Sequence, residues 1–331
     1  MPKISIVKGE NRKENIKNSI SFIEKDIINA IKTKKSEKLF IKINAIDTNF
    51  PLACTNIDAL EVVLDVFYKR FNKFNEIIVG DNTFIFSKYD GGYYKNILKK
   101  FPKVKLSDLT EFESENIEFK KLDGNAFGKV SLLPKKAFSI SLAVPKTHDT
   151  FVYTGCLKNM FGCVIKNRSS LHAMNLYDWM FFNKSAKGNQ LKWQNLIEVI
   201  KRTKPDLCIL DGYEAMEGNG PIFGTKVHLG LAMCSLDGLL LDKIATKICG
   251  LNNVPYLSLL DKNQEDIEEN IEIVKEGFES INEISKKFKP HYNYKYQITT
   301  KTKSIPLLDI KLLFSLLKRS YRLKDKLLNR K

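Results

Sequence analysis

In the sequence FSISLAVPKTHD, residues 138–149, charged residues come directly after a strand-like run. Its first seven residues are β-rich and largely apolar, which is typical of a strand buried in a sheet. Pro145 favours extended backbone in the residue that precedes it. The segment therefore predicts a strand followed by a loop that carries Lys146 and His148.

Similar runs recur along the chain, and polar residues follow each of them. They are LFIKIN (39–44), EIIVGD (76–81), DLCILD (206–211) and LGLAMC (229–234), the last followed by Ser235, Leu236 and Asp237. Helical patterns separate several of these runs, and from 57 to 71 apolar residues recur at spacings of three and four. The alternation predicts βαβ units, and hence an α/β fold with a mostly parallel sheet and helices on both faces.

Ligands of open α/β sheets bind beyond the carboxyl ends of the strands. If the runs are parallel neighbours, the polar residues that follow them converge on one edge of the sheet, which we call the rim. These residues are Asp81, Lys146, His148, Asp211 and Asp237. The competing interpretation is that Gly and Asp at these positions serve turn formation alone.

Lys146, His148 and Asp211 are the candidate catalytic residues of the rim. A lysine binds an anion or, when it is desolvated, acts as a base or as the amine of a Schiff base. A histidine titrates near neutral pH and serves as an acid, a base or a metal ligand. A structural salt bridge is the alternative interpretation of the Lys-Thr-His sequence.

Carboxylates near the rim predict a site for Mg²⁺ or Mn²⁺. Asp211, Glu214 and Glu217 follow one another at spacings of three, which a helical turn would place on one face. Hard divalent cations prefer such oxygen ligands, and we assign Asp211, Glu217, Asp237 and Asp242 to the metal set. A solvated acidic turn is the alternative interpretation.

The loop GNGPIFG, residues 218–224, is a candidate anion-binding segment. The backbone N–H groups of Gly218 and Gly220 are the expected donors to a phosphate or a carboxylate. The loop is neither a Walker A sequence nor a dinucleotide-binding fingerprint. A turn that requires positive φ at its glycines is the alternative interpretation.

The segment TGCLKNMFGC, residues 154–163, places a Lys-Asn pair among apolar residues. Because Lys158 and Asn159 would be costly to bury without partners, we expect both to face a cleft or a helix end. Arg168 and His172 follow closely and extend the set of predicted anion-binding groups.

The positive charge of the chain is concentrated in its C-terminal residues. The 331 residues carry a formal net charge of +16, and residues 286–331 hold fourteen Lys or Arg and two Asp, so this part alone carries +12. We therefore expect an α/β domain over residues 1–285 and a basic extension over 286–331. A surface built for nucleic acid rarely segregates its charge in this way, which makes nucleic acid an unfavoured partner.

Residues 307–331 predict a basic amphipathic helix in which leucines alternate with Lys and Arg. Such a helix is suited to docking on an anionic membrane surface. The alternative is a C-terminal helix whose leucines pack on the domain.

Cysteine usage and the N-terminal residues indicate the compartment. The six cysteines contain no CxxC pair, and the chain begins MPKIS, without the apolar region of a secretory signal. No apolar stretch approaches the roughly 20 residues of a spanning helix. We expect a cytoplasmic protein, with attachment of the basic extension to the inner membrane face as the alternative.

In their order, these segments resemble the domain of unknown function 362 family over roughly residues 38 to 260. The residues that carry the resemblance are Lys42-Ile43-Asn44, Thr55, Val79-Gly80-Asp81, Val144 to His148, Leu157 to Gly162, His172, Asp211-Gly212, Glu217 to Pro221, Gly224, Ser235-Leu236-Asp237 and Asp242. The resemblance adds Lys42 to the anion-binding set. It leaves the function unassigned.

Many members of that family carry an appended ferredoxin-like module, which implies an iron–sulfur or redox partner. This chain has no Cys-x₂-Cys-x₂-Cys run, and its two closest cysteines, Cys156 and Cys163, are seven residues apart. The resemblance therefore implies no iron–sulfur cluster of the chain's own.

Two functions follow from the sequence. The first is an enzyme that acts on a small anionic substrate at the rim, with a divalent metal as one option for its cofactor. The second is a non-catalytic binding or assembly protein that recruits a redox or membrane partner through its basic extension.

Overall fold

The computed structural model describes residues 1–71, 73–82, 92–98, 100–122, 124–166, 186–261, 271–294 and 298. Arg168, His172 and the helix predicted over 307–331 lie outside these residues. The predicted boundary between a domain over 1–285 and a basic extension stays a prediction.

The described strands form two sheets. The strands are β1 Lys3–Lys8, β2 Lys38–Lys42, β3 Glu76–Asp81, β4 Val104–Asp108, β5 Ser114–Lys121, β6 Gly124–Ser131, β7 Phe138–Ala143, β8 Lys146–His148, β9 Val152–Thr154, β10 Val164–Lys166, β11 Leu207–Glu217, β12 Thr225–Ser235 and β13 Glu272–Glu276. The larger sheet has the order β13-β1-β12-β11-β7-β2-β3-β4, with β8 and β9 attached to β11, and the smaller has the order β10-β6-β5.

Most pairings of the larger sheet are parallel. Strands β11, β7, β2, β3 and β4 run in one direction, whereas β12 is antiparallel to both β11 and β1. The predicted α/β fold with a mostly parallel sheet is confirmed. Parallel strands are covered on both faces and so appear as nearly continuous apolar runs, which explains why β7 is buried along its whole length.

Helices cover both faces of the larger sheet. They are α1 Arg12–Phe22, α2 Glu24–Lys34, α3 Ile57–Lys69, α4 Gly92–Leu98, α5 Leu133–Lys136, α6 Cys156–Asn159, α7 Ala186–Thr203, α8 Gly238–Ile248, α9 Pro255–Leu260 and α10 Ile281–Ile284. Leu39 and Ile41 of β2 join the apolar core formed with α1 to α4, while Phe40 joins the core formed with α7 to α9. Adjacent strand residues face opposite sides, so the helices lie on both faces as predicted.

Two sequence predictions about this sheet are wrong. Residues 211–217 form the second half of β11 rather than a helical turn, and Glu214 and Glu217 pair with His228 and Thr225. Because β12 is antiparallel, its last residue, Ser235, pairs with Cys208 near the start of β11. Asp237 therefore lies at the edge opposite the rim.

Candidate functional site

A buried ion pair joins the carboxyl ends of β2 and β3. Lys42 pairs with Gly80 in register, and its Nζ lies 2.7 Å from Oδ1 of Asp81, with both side chains buried. Nζ also donates to the carbonyl of Ile43 at 2.5 Å, and the other carboxylate oxygen of Asp81 accepts the N–H of Ala45 at 2.9 Å. The Lys42 ammonium and the Asp81 carboxylate thus balance each other's charge inside the protein.

Asn159 ties the short helix α6 to this pair. Its Nδ2 donates to the carbonyl of Lys42 at 2.9 Å and to Oγ of Ser141 at 3.1 Å, and its Oδ1 lies 3.5 Å from Nζ of Lys42. Gly162 follows α6, and an added Cβ there would overlap Oδ1 of Asp81 and Nζ of Lys42. Only glycine leaves room for the backbone so close to the ion pair.

Asp242 holds α6 in place from the opposite side. Its two carboxylate oxygens accept the N–H groups of Cys156 and Leu157, at 2.9 and 2.8 Å, which are unpaired donors of the first turn of α6. Asp242 is completely buried, and burial raises the pKa of its carboxyl to about 7 against the lowering effect of these hydrogen bonds. Its observed bonds position the helix that carries Lys158 and Asn159.

Lys146 is completely buried beside the Lys42–Asp81 pair. Its Nζ donates to the carbonyl of Ala53 at 2.5 Å, and no carboxylate oxygen of the described residues lies within 4.0 Å of it. Burial lowers the pKa of Lys146 to about 8; Cys54 and Asp81 act in the opposite direction, and the positive charge of Lys42 acts in the same one. Unlike Lys42, this ammonium has no ion-pair partner in the described part of the chain.

His148 follows Lys146 by two residues on β8, so the two side chains lie on the same face of that strand. Its Nδ1 accepts the N–H of Thr150 at 3.0 Å and lies 2.8 Å from Oδ1 of Asp149. Burial and then the positive charge of Lys158 lower the pKa of the His148 imidazole to about 4. The imidazole is therefore uncharged at pH 7.

Lys158 extends the positive character of the site towards His148. It is 8% exposed, and its Nζ lies 5.1 Å from the centre of the Phe151 ring and 5.6 Å from that of Phe161. Aromatic faces attract cations, so these rings stabilise the ammonium in a largely buried position. Three lysines, Lys42, Lys146 and Lys158, thus surround the rim.

A family model supports the resemblance seen in the sequence. The model described as "Domain of unknown function (DUF362)" matches residues 39–247, well over half of the chain. The chain belongs to the DUF362 family. The matched range contains the residues described above for the site, which are Lys42, Asp81, Lys146, His148, Lys158, Asn159, Gly162 and Asp242.

A relative of this DUF362 chain is the "Thylakoid-associated protein sll1697" of Synechocystis sp. The two are 34% identical over 113 residues, which is 34% of this chain and 32% of the relative. The match thus spans about a third of the length of that curated relative.

The structure does not bring Asp211 to the other candidate catalytic residues of the DUF362 domain. Met216, and not Asp211, is the β11 residue that pairs with Lys146. Asp211 instead lies 3.2 Å from Nε of Arg12 and accepts the N–H of Tyr213. Burial raises the pKa of Asp211 to about 6, although the charge of Arg12 opposes this.

The four carboxylates assigned to a metal do not lie together. Asp211 pairs with Arg12, Glu217 accepts the N–H of Lys289 at 2.8 Å, and Asp237 caps the start of α8 by accepting two N–H groups at 3.0 Å. Asp242 holds α6. Among the described residues, no group of three or more His, Cys, Asp or Glu side chains is placed to bind a metal ion.

The glycine-rich loop of the DUF362 domain uses its donors within the protein. Gly218, at a φ of 74°, donates its N–H to the carbonyl of Lys289, and Gly220 donates its N–H to the carbonyl of Gly218. The carbonyl of Gly218 accepts the hydroxyl of Thr147 at 2.9 Å, which joins the loop to β8. Both N–H groups thus have carbonyl acceptors in this structure, and the predicted anion binding by them stays a prediction.

Sequence reasoning missed Arg12 and Lys192. Arg12 carries no sequence signal, because only the topology brings α1 beside β11. Lys192 is 2% exposed, donates to Oδ1 of Asn189 at 3.3 Å, and has its pKa lowered by burial to about 8. Its spacing from Leu196 on α7 is helical and could have placed it on the buried face.

No helix in the described ranges is both long enough and apolar enough to cross a bilayer.

Proposed function

We propose that the chain is an enzyme that binds a small anionic compound at the carboxyl ends of β2, β3 and β7, with Lys146 as its reactive group. The observation that carries this proposal is the environment of Lys146: it is completely buried and lacks an ion-pair partner among the described residues. Burying an unpaired ammonium is costly for stability. A buried charged side chain that lowers stability and lies at the rim of an α/β sheet is a candidate functional residue.

The charges of the site favour an anion as the ligand. The Lys42 and Asp81 charges offset each other at 2.7 Å, so a protonated Lys146 leaves this part of the site with one excess positive charge. A carboxylate or phosphate would supply the missing counter-charge and accept the remaining ammonium hydrogens. Lys158, held against two aromatic rings, adds to the attraction from the His148 side.

Lys146 is also suited to moving a proton. Its pKa of about 8 allows the side chain to exchange between ammonium and amine near neutral pH. Asn159 and the Lys42–Asp81 pair hold a fixed arrangement of polar groups around it. The proposed enzyme therefore binds its anionic substrate through the lysines and transfers a proton through Lys146.

Acetate and inorganic phosphate are expected to raise the melting temperature of the wild-type protein but not that of Lys146→Arg, in which the bulkier guanidinium misplaces the charge. Differential scanning calorimetry over a range of anion concentrations measures this. Lys34→Arg is the matched control, because Lys34 pairs with Asp206 beyond the opposite end of β2. Equal shifts in all three proteins, or no shift in any of them, would contradict the proposal.

The basic extension supports a second proposed function, association with an anionic membrane surface. Residues 286–331 carry +12, and the relative from Synechocystis sp. is named as thylakoid-associated. Each basic residue near such a surface contributes about 1 kcal/mol to binding.

Vesicles that contain phosphatidylglycerol are therefore expected to co-sediment with the wild-type chain at low salt, and not with a variant carrying Lys318→Glu, Arg319→Glu and Arg322→Glu. Neutral phosphatidylcholine vesicles and high salt are the controls, since both remove the electrostatic attraction. Sedimentation that is independent of vesicle charge would exclude this mode of association.

A further inference from the structure

Lys146 differs from the other buried lysines of the rim in what it contacts. Lys42 has the carboxylate of Asp81 at 2.7 Å, and Lys158 lies over the rings of Phe151 and Phe161. Lys146 has a carbonyl as its hydrogen-bond acceptor, and the positive charge of Lys42 acts on it. A carbonyl does not hold a proton on the amine as a carboxylate would, so this lysine is the one most readily converted to a neutral amine.

A neutral amine that is desolvated and adjacent to another cation is a nucleophile for carbonyl carbon. We infer that the substrate is a small oxo acid, with one anionic group and one carbonyl carbon, and that Lys146 binds it covalently as an imine. This inference rests on the proposed function, because it concerns the same site and the same anion.

The step is balanced without a further reactant. The lone pair of Nζ forms the C–N bond as the C=O π bond breaks, and one proton passes from the nitrogen to that oxygen, which gives a neutral carbinolamine. Uptake of one proton from solvent lets the oxygen leave as water, and the nitrogen lone pair forms the C=N bond of a protonated imine. Nothing is oxidised or reduced.

The charges of the site are compatible with this product. With Lys146 as an amine, Lys42 and Asp81 offset each other, and the ammonium of Lys158 is the further positive charge near them. The protonated imine carries one positive charge and the oxo acid brings one negative charge, so formation of the adduct adds no net charge to the site. Buried sites disfavour added net charge, and an oxo acid with a single anionic group meets this condition.

Access to Nζ requires movement of a covering segment, because Lys146 has no exposed surface. The 3₁₀ turn Pro51–Ala53 is one such segment, since the Ala53 carbonyl accepts the Lys146 hydrogen bond. Next to it, Phe50 packs edge-on against Phe223, with ring centres 5.1 Å apart, and Phe223 is 54% exposed. Formation of the adduct is therefore followed over time rather than at a single point.

The full-length protein is incubated with limiting glyoxylate or pyruvate at pH 8, reduced with sodium borohydride, and mapped by peptide mass spectrometry. Reduction converts the imine to a stable secondary amine. We expect Lys146 to carry at least about tenfold more adduct than Lys69, which is 70% exposed and serves as the internal control. Lys146→Arg is expected to lose the selective adduct, and acetate is expected to compete with its formation in the wild-type protein.

The outcomes separate this inference from the proposed function. If acetate and glyoxylate both raise the melting temperature of the wild-type protein but no adduct forms at Lys146, the imine is wrong and anion binding stands. If the adduct is spread evenly over exposed lysines, or acetate does not protect Lys146, the imine is also wrong. If neither anion binds and no adduct forms, both proposals fail together.

Discussion

Replacing Lys146 with methionine is expected to raise the free energy of unfolding by about 2–3 kcal/mol at pH 7, although it removes the proposed reactive group. Methionine is similar in length and flexibility and needs no counter-charge. The buried ammonium does need one, and the described residues provide it with only the Ala53 carbonyl. Chemical denaturation of both proteins at pH 7 measures the difference.

The stabilisation has a defined dependence on pH. The pKa of Lys146 is about 8 in the folded protein and has an ordinary value of 10.5, so the folded state binds fewer protons between these values. The cost of the buried charge is therefore fully present below pH 8 and disappears as the pH rises towards 10.5. The advantage of methionine is expected to shrink across the same window.

Lys42→Met is the matched comparison, and its effect is expected to have the opposite sign. Removing Lys42 leaves the buried carboxylate of Asp81 without its partner at 2.7 Å, which costs about 3 kcal/mol or more. The two substitutions would then change the free energy of unfolding in opposite directions, because Lys42 has an ion-pair partner and Lys146 has none among the described residues. Destabilisation by Lys146→Met at pH 7 would show that Lys146 has a counter-charge in the folded protein, and would remove the main argument for an anionic ligand.

The sequence predicts the parallel strands well and their antiparallel neighbour poorly. Strands β2, β3 and β7 are buried on both faces, and their apolar runs report that burial directly. The run that became β12 has the same composition, but composition carries no information about strand direction. Asp237 was therefore predicted at the rim and lies at the opposite edge.

The contact between Lys42 and Asp81 depends on adjacent parallel strands. The two residues end neighbouring strands of one βαβ unit, so their proximity follows from that topology. The bond between Lys146 and Ala53 depends on how a loop folds over the sheet, and no residue pattern predicts it. Asp211 was expected directly after its strand, but the strand continues to Glu217, and its carboxylate pairs with Arg12.

Asp242→Asn is expected to stabilise the protein relative to wild type by about 2–3 kcal/mol more at pH 8 than at pH 5. Burial raises the pKa of Asp242 from its ordinary value of 3.8 to about 7, so the folded state retains a proton that the unfolded state has lost. Wild-type stability therefore falls as the pH rises from 3.8 to 7. Because asparagine does not titrate, the stability of Asp242→Asn does not fall over this pH range for the same reason.

The same substitution tests whether Asp242 acts through α6. Asparagine keeps one carbonyl oxygen, so only one of the N–H groups of Cys156 and Leu157 retains its acceptor, and a destabilisation of about 1–3 kcal/mol that does not vary with pH is superimposed. Tyr153→Phe is the control, because it removes a hydroxyl 3.5 Å from the carboxylate without changing a charge. Denaturation at both pH values measures the two effects separately.

A difference between Asp242→Asn and wild type that is the same at pH 5 and pH 8 would show that the carboxyl is already ionised at the lower pH. Asp242 would then be a fixed negative charge beneath the helix that carries Lys158 and Asn159, and its field would have to be counted in the attraction of any anion to the site.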